Sequence, residues 1–145
     1  MTQPGPTILR VPPFSTLCNA GFALRREVFV LEQNVPQEEE MDAFDFTATH
    51  FVAILEGEIL GALRLIETDE HVKIGRVAVQ ASARGQGIAK AMMLAAMEHA
   101  RAQGRDRFYL TSQVDKIAFY EKLGFTAFGE VFQDAGIAHR AMRTY

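Results

Sequence analysis

The chain has 145 residues, 48% of them hydrophobic and 23% charged, with a formal net charge of -3. That is enough for one domain, residues 1–145, with a core of its own, and the balance excludes a disordered chain. The weak acidity points away from nucleic acid and anionic membranes as partners, and the single cysteine, Cys18, excludes an internal disulfide.

Thr7 to Val11 reads as a first short strand, stopped by Pro12 and Pro13. From Ser15 or Thr16 to Leu31 the spacing predicts a helix, with Leu17, Leu24, Val28 and Leu31 near one face. Cys18 falls in it and is read as a buried structural thiol. The acidic stretch Glu32 to Asp45 reads as a long loop, or a loop with a short helix, in which Glu38, Glu39 and Glu40 are solvated.

His50 to Glu56 and Ile59 to Glu67 read as a hairpin around Glu56-Gly57-Glu58, followed by an extended run from Val72 to Gln80. Gln86 to Ala102 is rich in Ala, Met and Leu and predicts a helix that Gly104 ends. Arg107 to Thr111 is a further strand, and Asp115 to Leu123 a short helix closed by Gly124. Phe125 to Phe132 and Ile137 to Thr144 make two last strands around Asp134-Ala135-Gly136. The order β, α, β, β, β, α, β, α, β, β predicts an α/β fold with helices on both faces of a mixed sheet. No apolar run has the length that spans a bilayer, and MTQPGPTILR lacks a signal-peptide layout, so the expected compartment is the cytoplasm.

The most informative segment is VAVQASARGQGIAK, Val77 to Lys90. A strand ends, small residues cross over, and Gly85 and Gly87 open the long helix. Glycine permits positive φ, so successive N–H groups converge on an anion, and the helix N-terminus adds its dipole. Arg84 and Lys90 bring cations to the same turn. A Walker A loop is absent, because no GxxxxGK is followed by Ser or Thr. The dinucleotide pattern GxGxxG fails at Lys90. Two glycines that merely shape a tight loop remain the bland alternative.

This segment resembles motif A of the GNAT acetyltransferases, with Arg84, Gly87 and Ala89 in register. AFYEKLGF, Ala118 to Phe125, resembles the end of motif B of that family. LRREVFVLEQNVP, Leu24 to Pro36, with EEEMDAFD, ATHFVA and the tail GEVFQDAGIAHRAM, is similar to the ElaA/YjcF branch. Two positions depart from the pattern: Gln113 stands where many members have Asn, and Ala138 replaces a proline usual before His139.

The resemblance implies a GNAT-type, mostly antiparallel central sheet and an acyl-CoA-dependent N-acetyltransferase with acetyl-CoA as cosubstrate. It implies that the backbone of Val77, Ala78 and Val79 pairs with the pantetheine arm in a splayed sheet, often at a bulge. Arg84, Gly85, Gln86, Gly87, Ile88, Ala89 and Lys90 would hold the diphosphate, with Gln113 and Phe119 also touching the cofactor. Tyr120 would be the general acid, since a phenol of ordinary pKa about 10 is protonated at neutral pH; packing is its bland reading. Glu32 is the candidate base, and Glu32, Asp45, His50 and His139 are candidates for the acceptor side, with Glu40 and Asp42 nearby.

Four histidines without a spacing such as HExxH predict no metal. The implied acceptor is a primary amine on a small molecule or peptide, attacked within a ternary complex. An acyl-CoA sensor without turnover and a transferase with another donor are the competing readings; the 11 phenylalanines suit either a core or an acyl tunnel. Dimers are common in the superfamily, and the apolar last strands permit a homodimer.

Overall fold

β1 (Thr7–Val11) forms one edge of a seven-stranded sheet in a computed structural model that describes residues 4–145; the first three residues of the N-terminal segment read above lie outside it. Ser15 then caps α1 (Thr16–Arg25), its hydroxyl accepting from the Cys18 N–H at 3.3 Å. The helix does not continue as an α-helix to Leu31. It widens into a π-helix over Arg26–Glu32, closed by the Gln33 N–H donating to the Val28 carbonyl at 3.1 Å.

The acidic stretch holds α2 (Gln37–Glu40) and a 3₁₀ turn over Ala43–Phe46. β2 (Thr49–Leu55), β3 (Glu58–Glu67) and β4 (Val72–Val79) follow, and α3 (Ile88–Ala102) crosses to β5 (Phe108–Gln113). α4 (Ile117–Glu121) leads to β6 (Thr126–Asp134) and β7 (Ile137–Arg143). The strand order is β1-β2-β3-β4-β5-β7-β6, antiparallel except for β4 and β5. The expected mixed α/β fold, mostly antiparallel with flanking helices, is the one observed.

Strand alternation sends Leu63 and Leu65 to one face of the sheet, where they meet Met92, Met93, Ala96 and Met97 of α3. Each of these leucine and methionine side chains contributes roughly 1.5–3 kcal/mol by leaving water. A Cβ at Gly61 would lie 2.8 Å from the Met92 Sδ, so a side chain there would displace the end of Met92. Val52 and Cys18 pack on the other face, with Ala62 close to Gly21 of α1. Cys18 is buried, as its reading required.

Candidate active site

Two irregularities in β4 open the sheet. Against β3 the register moves from Arg64–Gly75 to Ala62–Ala78, so β4 carries one extra residue, and Arg76 takes φ 52° within that bulge. Against β5, parallel pairing covers only Val72–Phe108 and Lys73–Tyr109. Beyond Lys73 the two strands part, and β5 stays paired to β7 as far as Gln113–His139. The gap is the floor of a cleft of about 870 Å³.

The glycine turn stands at one end of this cleft. Gly85 and Gly87 have φ 80° and 82°, and Gly87 rather than Gln86 is the N-cap of α3. No side chain caps the helix, and its first internal bond runs from the Ala91 N–H to the Gly87 carbonyl. The N–H groups of Ile88, Ala89 and Lys90 are therefore the orphan donors of a helix start, beside an open loop. Val77, Ala78, Val79, Arg84, Gly85, Gly87, Ile88, Ala89, Lys90, Gln113, Phe119 and Tyr120 all line the cleft. Gln86 is exposed and is not part of the lining.

The side chains there are not idle. Arg84 donates to both oxygens of Glu32, at 2.6 and 3.0 Å, and to the Val79 carbonyl at 3.0 Å. This pairing lowers the pKa of the Glu32 carboxyl, which weakens it as a base. Gln113 donates its amide to Gln33 Oε1 at 2.9 Å, linking the end of β5 to the end of the first helix. Tyr120 packs edge-on against Phe119, and burial alone pushes its phenol up to about 12.

On the acceptor side the structure separates the candidates. Glu32 and His139 line the cleft. His139 Nδ1 donates to the Ile137 carbonyl at 2.7 Å, which leaves the lone pair on Nε2. Asp45 and His50 do not reach the cleft lining, contrary to the expectation for both. Asp45, 0% exposed, is gripped by Arg25 at 2.7 Å and Arg64 at 2.9 Å. Burial pushes its carboxyl up, but the two arginines outweigh that and bring it down to about 2. His50 Nε2 donates to the Asp45 carbonyl at 2.9 Å, and its ring meets Phe22.

Glu40 also departs from its solvated reading. It is 3% exposed and accepts from Arg25 Nε at 2.6 Å. Arg64 and Arg76 both pair with Asp42, and Arg76 donates to the carbonyls of Glu39 and Glu40. Three arginines and three carboxylates thus bind the acidic loop to the bulge of β4. Sequence reasoning passed over Arg76 and Lys73, both of which line the cleft. Two cations inside an otherwise apolar strand, VKIGRVAV, were the available signal.

Comparison with known proteins agrees with this geometry. The model of the Acetyltransferase (GNAT) domain matches residues 15–145. The uncharacterized N-acetyltransferase YjcF of Bacillus subtilis is 38% identical over 84% of this chain and 88% of its own length. Protein ElaA of Escherichia coli is 33% identical over 82% of this chain and 81% of its own. The crystal structure of an acyl-CoA N-acyltransferase from Pseudomonas aeruginosa superposes with a TM-score of 0.87 at 34% identity. That match covers 97% of this chain and 99% of the other. The splayed sheet, the uncapped glycine turn and these likenesses together assign the chain to the GNAT family of acetyltransferase enzymes, in its ElaA/YjcF branch.

Proposed function

We propose that the protein transfers the acetyl group of acetyl-CoA to a primary amine by direct attack within a ternary complex. The observation that carries this reading is the uncapped start of α3, with Gly85 and Gly87 at positive φ, beside the parted strands β4 and β5. The N–H groups of residues 85–90 would take the diphosphate, with Lys90 adding charge and Arg84 joining once it leaves Glu32. The pantetheine arm would lie along Val77–Val79, and Phe119 would pack against it.

The amine nitrogen then attacks the thioester carbon, and the oxygen gains charge. An N–H of the bulged strand, near Val79, would receive that charge; its position is fixed before the reaction begins. As the C–S bond breaks, the Tyr120 hydroxyl donates its proton to the sulfur. The environment that keeps the phenol neutral also disfavours a bare thiolate, so the proton moves toward sulfur inside the cleft. His139 Nε2 is the acceptor for the proton leaving the amine, a role its Nδ1 bond to Ile137 prepares. Glu32, held by Arg84, suits a gate on the cofactor loop better than a base.

A thiol-release assay with acetyl-CoA and a broad amine panel tests the proposal. At least one amine should give thiol release above background, and Tyr120→Phe should slow it without losing CoA binding. CoA binding without thiol release from any amine would mark an acyl-CoA-binding module instead. The reading takes in a cytoplasmic enzyme. It also takes in a homodimer, supported by Val131 and Phe132, which are exposed on the edge strand β6.

A further inference from the structure

The charges on the acceptor wall do not balance evenly. Arg25, Arg64 and Arg76 face Glu40, Asp42 and Asp45 in one ion-pair cluster, so that cluster is neutral as a whole. Glu32 is taken by Arg84. Lys73 lines the same cleft from β4, at the last residue paired to β5, and is half-buried. Among the described residues it has no ion-pair or hydrogen-bond partner.

A half-buried ammonium without a partner loses hydration and gains nothing in return. Its neighbours add to that cost: burial, then Arg64 and Arg76, push the Lys73 ammonium pKa down, while Asp134 and Asp42 pull it up. Neither acid comes within ion-pair distance. A second cation on this wall keeps one donor free although its terminal nitrogens pair with Asp42 and Asp45. Arg64 is 4% exposed and lines the cleft, and its Nε is buried without a hydrogen bond.

We infer that Lys73, backed by Arg64, receives an anionic group of the acceptor, so that the amine substrate also carries a carboxylate. This rests on the proposed acetyl transfer to an amine and names the class of amine. The exposed Glu39 and Asp134 also line the cleft and suit the ammonium end of such a zwitterion on its way in. Four residue steps along β4 lead from Lys73 to Val77, the near end of the stretch proposed for the pantetheine arm, a span of at most roughly 13 Å at about 3.3 Å per residue. The four-carbon stem of lysine closes only part of that span. Amine and carboxylate are therefore several bonds apart in the acceptor, which favours ω-amino acids over α-amino acids.

Calorimetry on the CoA-saturated protein tests this without requiring turnover. The probes are γ-aminobutyrate and ε-aminocaproate, each against its own carboxamide. At least one carboxylate should bind tenfold or more tightly than its carboxamide. Lys73→Met should abolish that preference, Lys73→Arg should keep most of it, and CoA affinity should stay unchanged in both. Equal binding of acid and amide, no binding by any probe, or a preference that survives Lys73→Met would each overturn the inference. A carboxylate preference dependent on Lys73, in a protein that releases no thiol with any amine, would leave this site standing and remove the proposed reaction.

Discussion

The Arg84 guanidinium holds the Glu32 carboxylate by two hydrogen bonds, so the loop before α3 is tied to the end of the first helix. Both side chains are well exposed, and such a pair is worth at most about 1 kcal/mol. If Arg84 leaves Glu32 for the diphosphate, that energy opposes cofactor binding. Glu32→Gln should therefore tighten CoA binding up to about fivefold at low salt, with kcat little changed. Calorimetry and steady-state rates check both halves; a collapse of kcat with intact binding would make Glu32 the base.

Tyr120→Phe should lower kcat by about 10²-fold or more, with the Kd for CoA unchanged. Because burial holds the phenol near 12, the acid stays protonated far above neutrality. The rate should show no alkaline loss assignable to Tyr120 until pH approaches that value. An ultraviolet titration of wild type against Tyr120→Phe should place the missing step there.

His139→Gln should lower kcat by 10² or more, by removing the lone pair on Nε2. The Kd for CoA should stay unchanged, and thermal stability should change little. A variant that keeps the full rate would remove His139 from proton transfer.

The Arg25–Asp45–Arg64 cluster predicts acid sensitivity. The Asp45 carboxyl lies below its ordinary 3.8, at about 2 in the folded protein. Its contribution is full above the unfolded value and is lost as pH falls toward 2, a difference of roughly 2 kcal/mol. Asp45→Asn should cost about 3–5 kcal/mol at neutral pH, since two buried guanidinium groups lose their shared partner. Denaturant unfolding at several pH values reads both.

The physics that a residue carries in its own neighbourhood was legible in the sequence. Gly85 and Gly87 announced the turn, Ser15 the start of α1, and Gly104 the end of α3, because each acts through local backbone geometry. Asp45 and His50 were misread because their partners, Arg25, Arg64 and Phe22, lie far along the chain. Glu40 looked like one of three solvated acids until a long-range pairing with Arg25 set it apart. The bulge at Arg76 has no local signal, since a positive φ on arginine is held by the carbonyls of Glu39 and Glu40 across the cleft. The π-helix at Arg26–Glu32 shifts the backbone bonding by one residue and leaves hardly a trace in hydrophobic spacing.

The most direct measurement is a backbone amide spectrum of the protein titrated with CoA. Main-chain donors at the head of α3 should feel the diphosphate, so the largest ¹H and ¹⁵N shifts should fall on Gly85, Gly87, Ile88, Ala89 and Lys90. Saturable CoA binding that leaves those five amides unmoved, with the shifts elsewhere, would contradict the account.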